Sequence, residues 1–295
     1  MSTEAVPAAG GSGGDLRAEV RRGVSALGQV PASGRGTTSD LSIDEALLLH
    51  SVGWEPVELV TGVSMASVPW GVWSWGQGEI GAASAAHATA MRGASERLTE
   101  ECDRAGGHGV VGVRVAVSVY PNHVDVELVG SAVRPVGKKG HPPGRPFVSD
   151  LSGRDFCLLR RAGWEPLGLA FGASFVYAPR RSARTVLGQA GQNVELTNFT
   201  EAMYQARELA MERMQKAALD IGAGGVVAVV MSQGPMAFAT HAIGFTAWGT
   251  AVQCGPEGHR HLEPEMVVPL DDAVVAFEAE SLRGQSSRGR SSNAR

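Results

Sequence analysis

The sequence predicts an α+β protein built from two tandem β-α-β-β units, each a two-layer sandwich of one long helix on one small sheet. Three observations predict it. The first is an ordered internal repeat. Ser39-Asp40-Leu41-Ser42, Leu48-Leu49, Gly53-Trp54-Glu55-Pro56 and Gly62-Val63-Ser64 return as Ser149-Asp150-Leu151-Ser152, Leu158-Leu159, Gly163-Trp164-Glu165-Pro166 and Gly172-Ala173-Ser174. Further on, Gly109-Val110-Val111 returns as Gly225-Val226-Val227, and Gly130-Ser131-Ala132-Val133 as Gly249-Thr250-Ala251-Val252, with small insertions changing the spacing. The second is a small-residue stripe at helical spacing in each copy. The third is a valine-rich run that follows a glycine break after each stripe.

The repeat divides the chain. Residues 1–38, rich in Gly, Ser, Ala and Thr, read as a disordered tail with a charged patch from Arg17 to Arg22. The first unit is 39–136. A Pro/Gly/basic linker occupies 137–148, and the second unit is 149–254. The extension 255–295 ends in RGQSSRGRSSNAR, which lacks large apolar residues, and is expected to be mostly disordered.

Each unit repeats one local grammar. Ser-Asp-Leu-Ser offers a helix N-cap, and the short helix it opens stops at the glycine before Trp54 or Trp164. Trp54 to Val63 and Trp164 to Ala173 read as strands. The long helix follows a loop. Its inward stripe is Ala86, Ala90, Ala94, Leu98, Cys102 and Ala105 in the first copy. In the second it is Ala202, Ala206, Leu209, Ala210, Met214, Ala217, Ala218 and Ile221. Alanines facing inward let a helix lie close to a sheet. Gly106 or Gly222 stops the helix. The final two strands, Val110–Val119 with Val124–Val133, and Val226–Val230 with Ile243–Val252, read as hairpins.

Composition excludes several classes. The 295 residues carry a net charge of -4, which argues against a nucleic-acid partner. The 3 cysteines, Cys102, Cys157 and Cys254, are too few for a disulfide scaffold, so a reducing, cytoplasmic setting is expected. The N-terminus lacks the pattern of a signal peptide, and no apolar run reaches the roughly 18 residues of a membrane span. Gly222-Ala223-Gly224-Gly225 precedes a strand, the reverse of the strand–loop–helix order that cradles phosphates. No His-Glu-x-x-His or Cys-x-x-Cys motif is present, and Gly-x-Ser-x-Gly occurs only as Gly10-Gly11-Ser12-Gly13-Gly14 in the low-complexity tail, without the strand and helix that a nucleophile turn needs. The adjacent carboxylates Glu100-Glu101 and Asp271-Asp272 read as solvated. The expectation is a protein that is not an enzyme.

Ala206-Arg207-Glu208, Ala210, Glu212, Ala218 and Gly222-Ala223 before Val226-Val227 resemble the YbjQ-like family, catalogued as heavy-metal-binding. Val60-Thr61-Gly62 and Gly249-Thr250-Ala251-Val252 fit the same pattern. The resemblance covers residues 54–135 and 164–253 and departs at Met91-Arg92 and at Gly107-His108. It implies a YbjQ/dodecin-like β-α-β-β unit that assembles as a homopentameric ring, without an established enzymatic activity. A flat ring of five units cannot be built from whole two-unit chains, so five chains in two stacked rings, or three in a six-unit ring, are the closed solutions. A homo-oligomer, pentameric in chains, is expected.

Candidate sites follow from residue chemistry. Cys254, His259 and His261 offer a thiolate and two imidazoles to a divalent heavy metal, with Glu257 or Glu263 as a fourth ligand; the alternative is a polar exposed turn. Trp70, Trp73 and Trp75 form a dense aromatic loop suited to a protein partner or to a contact between copies. The second copy replaces it with a basic loop holding Arg180, Arg181 and Arg184, suited to an anion or acidic partner, or simply solvated. His87, His123 and His241 are read as structural or surface histidines, and His108 as a helix-end residue favoured by the dipole. The function expected is a non-enzymatic, ring-forming assembly or binding protein, with heavy-metal binding as the alternative.

Overall fold

The computed structural model describes residues 38–69, 78–120, 122–138, 144–178, 196–236, 239–256 and 258–262. The tryptophan loop, the arginine loop, Glu257 and Glu263 lie outside them. The chain divides into two compact units, Met1–Arg260 and His261–Arg295; both sheets lie in the first, and only His261 and Leu262 of the second are described. Among the described residues no helix is long and apolar enough to cross a membrane.

The N-terminal half contains α1 (Ile43–Ser51), β1 (Trp54–Ser67), β2 (Gly78–Glu79), α2 (Gly81–Arg104), β3 (Gly109–Val119) and β4 (His123–Pro135). The C-terminal half contains β5 (Phe147–Val148), α3 (Gly153–Arg161), β6 (Trp164–Tyr177), α4 (Thr197–Asp220), β7 (Gly225–Met236) and β8 (Ala239–Cys254). Two four-stranded sheets result, β1-β4-β3-β5 and β2-β6-β8-β7. The long strands are antiparallel and share a register: Trp54 stands opposite Pro135, and Trp164 opposite Cys254. Irregularities fall at matching points, Pro56/Glu58 with Pro166/Gly168, and Val111/Arg114 with Val227/Val230.

Ser42 and Ser152 cap α1 and α3, and at Ser42 the Glu45 carboxylate closes a capping box. The first Ser-Asp of the repeated motif has a further task. Ser39 and Ser131 share a hydrogen bond of 2.9 Å, and the Asp40 amide donates to Ser131 Oγ at 3.2 Å. Ser149 and Thr250 repeat the bond at 2.9 Å, with the Asp150 amide donating to Thr250 Oγ1 at 3.1 Å. The motif therefore pins the entry of each short helix to the central strand of a sheet.

Helix and sheet meet with almost nothing between them. Ala86, Ala90, Ala94, Leu98 and Cys102 of α2 are buried, as are Ala202, Ala206, Ala210, Met214 and Ala218 of α4. At Gly62 an added Cβ would overlap Ala94 O and lie 2.7 Å from the Leu98 amide nitrogen. At Gly172 it would overlap Ala210 O and lie 2.6 Å from the Met214 amide nitrogen. Only glycine fits a strand this close to a helix backbone.

Four expectations need correction. β1 and β6 run to Ser67 and Tyr177, past the predicted ends, because β4 and β8 offer them partners along their whole length. Ile221, expected on the inward stripe of α4, is exposed, since it follows the end of the helix at Asp220. Glu101 is not simply solvated: it accepts from the Thr61 amide at 2.8 Å. The last residues of the expected linker form β5. It and β2 leave their own halves to pair with the opposite sheet, because short segments beside an open strand edge find their backbone partners there.

The close helix–sheet approach predicts that Gly172→Ala destabilises by about 1–3 kcal/mol or more. Urea unfolding should show a lower midpoint with an unchanged slope, and an unchanged midpoint would show that the strand can retreat from α4.

Candidate functional site

Among the described residues, the seam between the two halves brings together the richest chemistry. It begins at β2. Gly78 and Glu79 pair antiparallel with Tyr177 and Val176, extending the edge of β6. Gly78 has φ +96°, which admits the turn into this strand. The Ile80 amide then donates to Phe175 O at 2.6 Å, and α2 starts.

Glu79 crosses the seam to Arg213 of α4. The guanidinium makes a two-pronged contact, with Nη2 at 2.8 Å from Oε2 and Nη1 on Oε1. Arg213 Nη1 also donates to Ala173 O at 2.7 Å, and Ser84 Oγ donates to Glu79 Oε1 at 2.6 Å. The hydrogen bond from Arg213 holds the Glu79 carboxyl below its ordinary range, and Glu79 in turn raises Arg213.

The outer side of α2 packs on the back of β6. Ile80, Ala83, Ala173, Phe175 and Ala242 form one buried cluster. His87 lies in the same seam, 4.2 Å between ring centroids from Phe175. Its Nδ1–H donates to Ala83 O at 2.8 Å, and Nε2 has no partner among the described residues. Burial pushes this imidazole down to about 4, so it is neutral at pH 7.

The seam continues along β3. β5 pairs parallel with it, Gly109 opposite Phe147 and Val110 opposite Val148. The Gly112 and Val113 amides donate to Leu151 O at 2.8 Å and to Ser149 O at 3.0 Å. Beside it α1 meets α3: the Gly153 amide donates to Glu45 Oε1 at 3.0 Å and Arg161 to Ser51 Oγ at 3.0 Å. Leu49, Leu151, Phe156 and Cys157 close this corner, with Trp54 edge-on to Phe156. A cavity of about 400 Å³ opens where α2 approaches β6 and α4, lined by Met91, Arg92, Arg145, Leu169, Phe171 and Ile221 among others.

The predicted metal ligands Cys254 and His259 lie elsewhere. Cys254 ends β8 and is exposed. His259 Nδ1 accepts from Trp164 Nε1 at 3.0 Å, which fixes that ring against the first residue of β6. His261 begins the second unit. No group of three or more His, Cys, Asp or Glu that could hold a metal ion occurs among the described residues. Burial pushes the Cys102 thiol up to about 12 and the Cys157 thiol up to about 11, so neither is a thiolate at neutral pH.

The sequence reading missed Glu79, Arg213 and the seam role of His87. A signal for one of them existed. Arg97 stands on α2 where Arg213 stands on α4, and carrying the repeat through the helices would have marked both as positioned residues.

Comparison with known proteins gives a family. Residues 182–255 match a family model, YbjQ_1, described as "Putative heavy-metal-binding". Over 241 residues the chain is 38% identical to "Encapsulin nanocompartment protein Rv1762c" of Mycobacterium tuberculosis (strain ATCC 25618 / H37Rv), covering 79% of this chain and 92% of that protein. The chain belongs to the family of that protein. No solved structure matches it significantly. The family match lies in the C-terminal half, around α4, β7 and β8.

His87 makes the seam pH-sensitive. Its folded pKa, about 4, lies below the ordinary 6.5, so the folded chain binds fewer protons than the unfolded one between these values. Its contribution is fully present above pH 6.5 and is lost as pH falls towards 4, up to roughly 3 kcal/mol. Urea midpoints of wild type and His87→Leu should therefore diverge with falling pH, the wild type losing stability relative to the variant. A constant difference would remove the seam histidine from the account.

Proposed function

We propose that this protein is a non-enzymatic assembly protein that works with an encapsulin-type nanocompartment. The observation that carries it is the identity of 38% to a protein so named, over 92% of that protein's length. In this reading both halves are copies of the YbjQ-like unit, and the chains form a closed homo-oligomeric ring in the cytoplasm, five chains as the family resemblance implies. The surface supports it. Met65, Tyr204, Leu219 and Ile221 are large apolar side chains left exposed on β1 and on and just after α4. Trp70, Trp73 and Trp75 serve as contact for another chain, and Arg180, Arg181 and Arg184 as contact for an anion or acidic partner. Static light scattering on the purified full-length chain at micromolar concentration should give a discrete multiple of the chain mass; a monomer would remove this reading.

A second reading follows from the family description: heavy-metal binding through the Cys254, His259 and His261 cluster of the sequence. The exposed thiol of Cys254 supports it. Protein purified without an affinity tag should then carry stoichiometric metal by elemental analysis and lose it in Cys254→Ala with His261→Ala. Metal-free protein with normal assembly would leave the first reading alone.

A further inference from the structure

We propose that chains join head to tail through a second use of the intrachain seam: the outer side of α4 and the edge of β7 of one copy receive β1 and residues 39–41 of the next. The inference rests on the assembly reading and names the surface that carries it.

The two halves present the same parts in register, and several of the parts that meet inside the chain are left exposed at its ends. Inside the chain, Ile80 precedes α2 with φ -89° and ψ 77° and lies on Phe175 of β6. Leu196 precedes α4 with φ -87° and ψ 73°, nearly the same conformation. Ile80 is 3% exposed and Leu196 39%. On the receiving strand, Phe175 is 4% exposed, while Met65 at the matching position of β1 is 67% exposed. Val63, matching the buried Ala173, is exposed too. The side chains differ between the two places: inside the chain a small Ala83 meets the large Phe175, and at the chain ends the matching residues are Phe199, partly buried against the core of its own half, and an unbranched, adaptable Met65.

The polar groups follow the same rule. Arg213 donates to Ala173 O and holds Glu79. Arg97, at the matching position of α2, donates to Val63 O at 2.8 Å and forms no ion pair among the described residues. In the sequence Glu195 directly precedes Leu196, as Glu79 directly precedes Ile80. At the other edge, Ser149 O and Leu151 O receive the Val113 and Gly112 amides, whereas Ser39 O and Leu41 O receive no backbone donor among the described residues. Their natural donors are Val229 and Ala228 of β7. Val113 is 4% exposed, in one buried cluster with Val148, and Val229 is 42% exposed. Ala228 keeps φ +54° at the site where the first half uses Gly112 at φ +66°, so the edge geometry is held despite a side chain that disfavours it.

The helix pair α1–α3 is not part of the copied contact. Ile43 stands at the position of Gly153, where a Cβ would meet Glu45 at 2.7 Å. A head-to-tail contact of this kind is heterologous and closes into a ring or runs on as a filament. Each chain contributes both of its halves, so a single-layer ring contains an even number of them.

The test uses the full-length chain with Met65→Lys, Leu196→Glu, and both together, followed by light scattering across a dilution series. Both positions are exposed, so each single variant should keep the wild-type circular dichroism and melting curve; Val63→Lys serves as a second variant on β1. Each single variant should weaken assembly at least about tenfold. The double variant should recover assembly, because Met65 of one copy meets Leu196 of the next. Single variants that assemble like wild type overturn the proposal and leave the assembly reading standing, and so does loss without recovery in the double variant. A wild-type chain that stays monomeric overturns both.

Discussion

The structure depends on how closely α2 and α4 lie against their sheets. Gly62 and Gly172 put a strand in contact with helix backbone, and the alanine rows accept that approach. Such contact gains dispersion and hides the front face of each sheet, but it yields a thin sandwich with little volume of large side chains. The back of each sheet and the outer side of each helix are then left to find other cover. A domain of this thickness meets that need by stacking on a neighbour. Within the chain α2 does this twice, with one face on β1 and β4 and the other on β6.

Polar groups give the stacking its register. An apolar face alone would let α2 slide along β6. Glu79 stops that, since its carboxylate has to meet the fixed fork of Arg213 while β2 pairs in line with Tyr177 and Val176. The pair is only partly shielded, with the Arg213 side chain 39% exposed, so its value lies more in geometry than in stabilisation. The Ser149, Asp150 and Thr250 cluster does the same for α3 in a drier setting, where burial raises the Asp150 carboxyl although Thr250 and the backbone donate to it.

Most of the architecture was legible because it follows from local grammar repeated twice. Ser42 and Ser152 announce the short helices, Gly106 and Gly222 end the long ones, and the alanine spacing gives the buried face. What escaped is non-local. Nothing about Gly78-Glu79 or Phe147-Val148 as short strings says strand; they become strands because β6 and β3 present open edges beside them. The long ends of β1 and β6 have the same origin. His87 looked isolated because its partner, Phe175, is distant in sequence and belongs to the other half. The tryptophans and arginines singled out from composition lie outside the described residues.

The departures between the halves carry the final step. The two halves share a repeated grammar, and several exposed positions keep the features of their buried counterparts. Leu196 keeps an apolar side chain and the backbone of Ile80, and Arg97 keeps the carbonyl contact of Arg213 with no carboxylate partner among the described residues. Ala228 keeps a left-handed backbone that costs an L-residue about 1–2 kcal/mol, although no strand lies on that edge among the described residues. Within the chain the irregularity of β7 against β8 holds Ala228 and Val63 O holds Arg97, whereas an exposed Leu196 gains nothing from solvent. Where change did occur, it puts Phe199 at the position of Ala83 on the helix and a flexible thioether, Met65, at that of the Phe175 ring on the strand. That pattern is what two surfaces show when they meet each other, and it locates the mutual constraint between the head of one chain and the tail of the next.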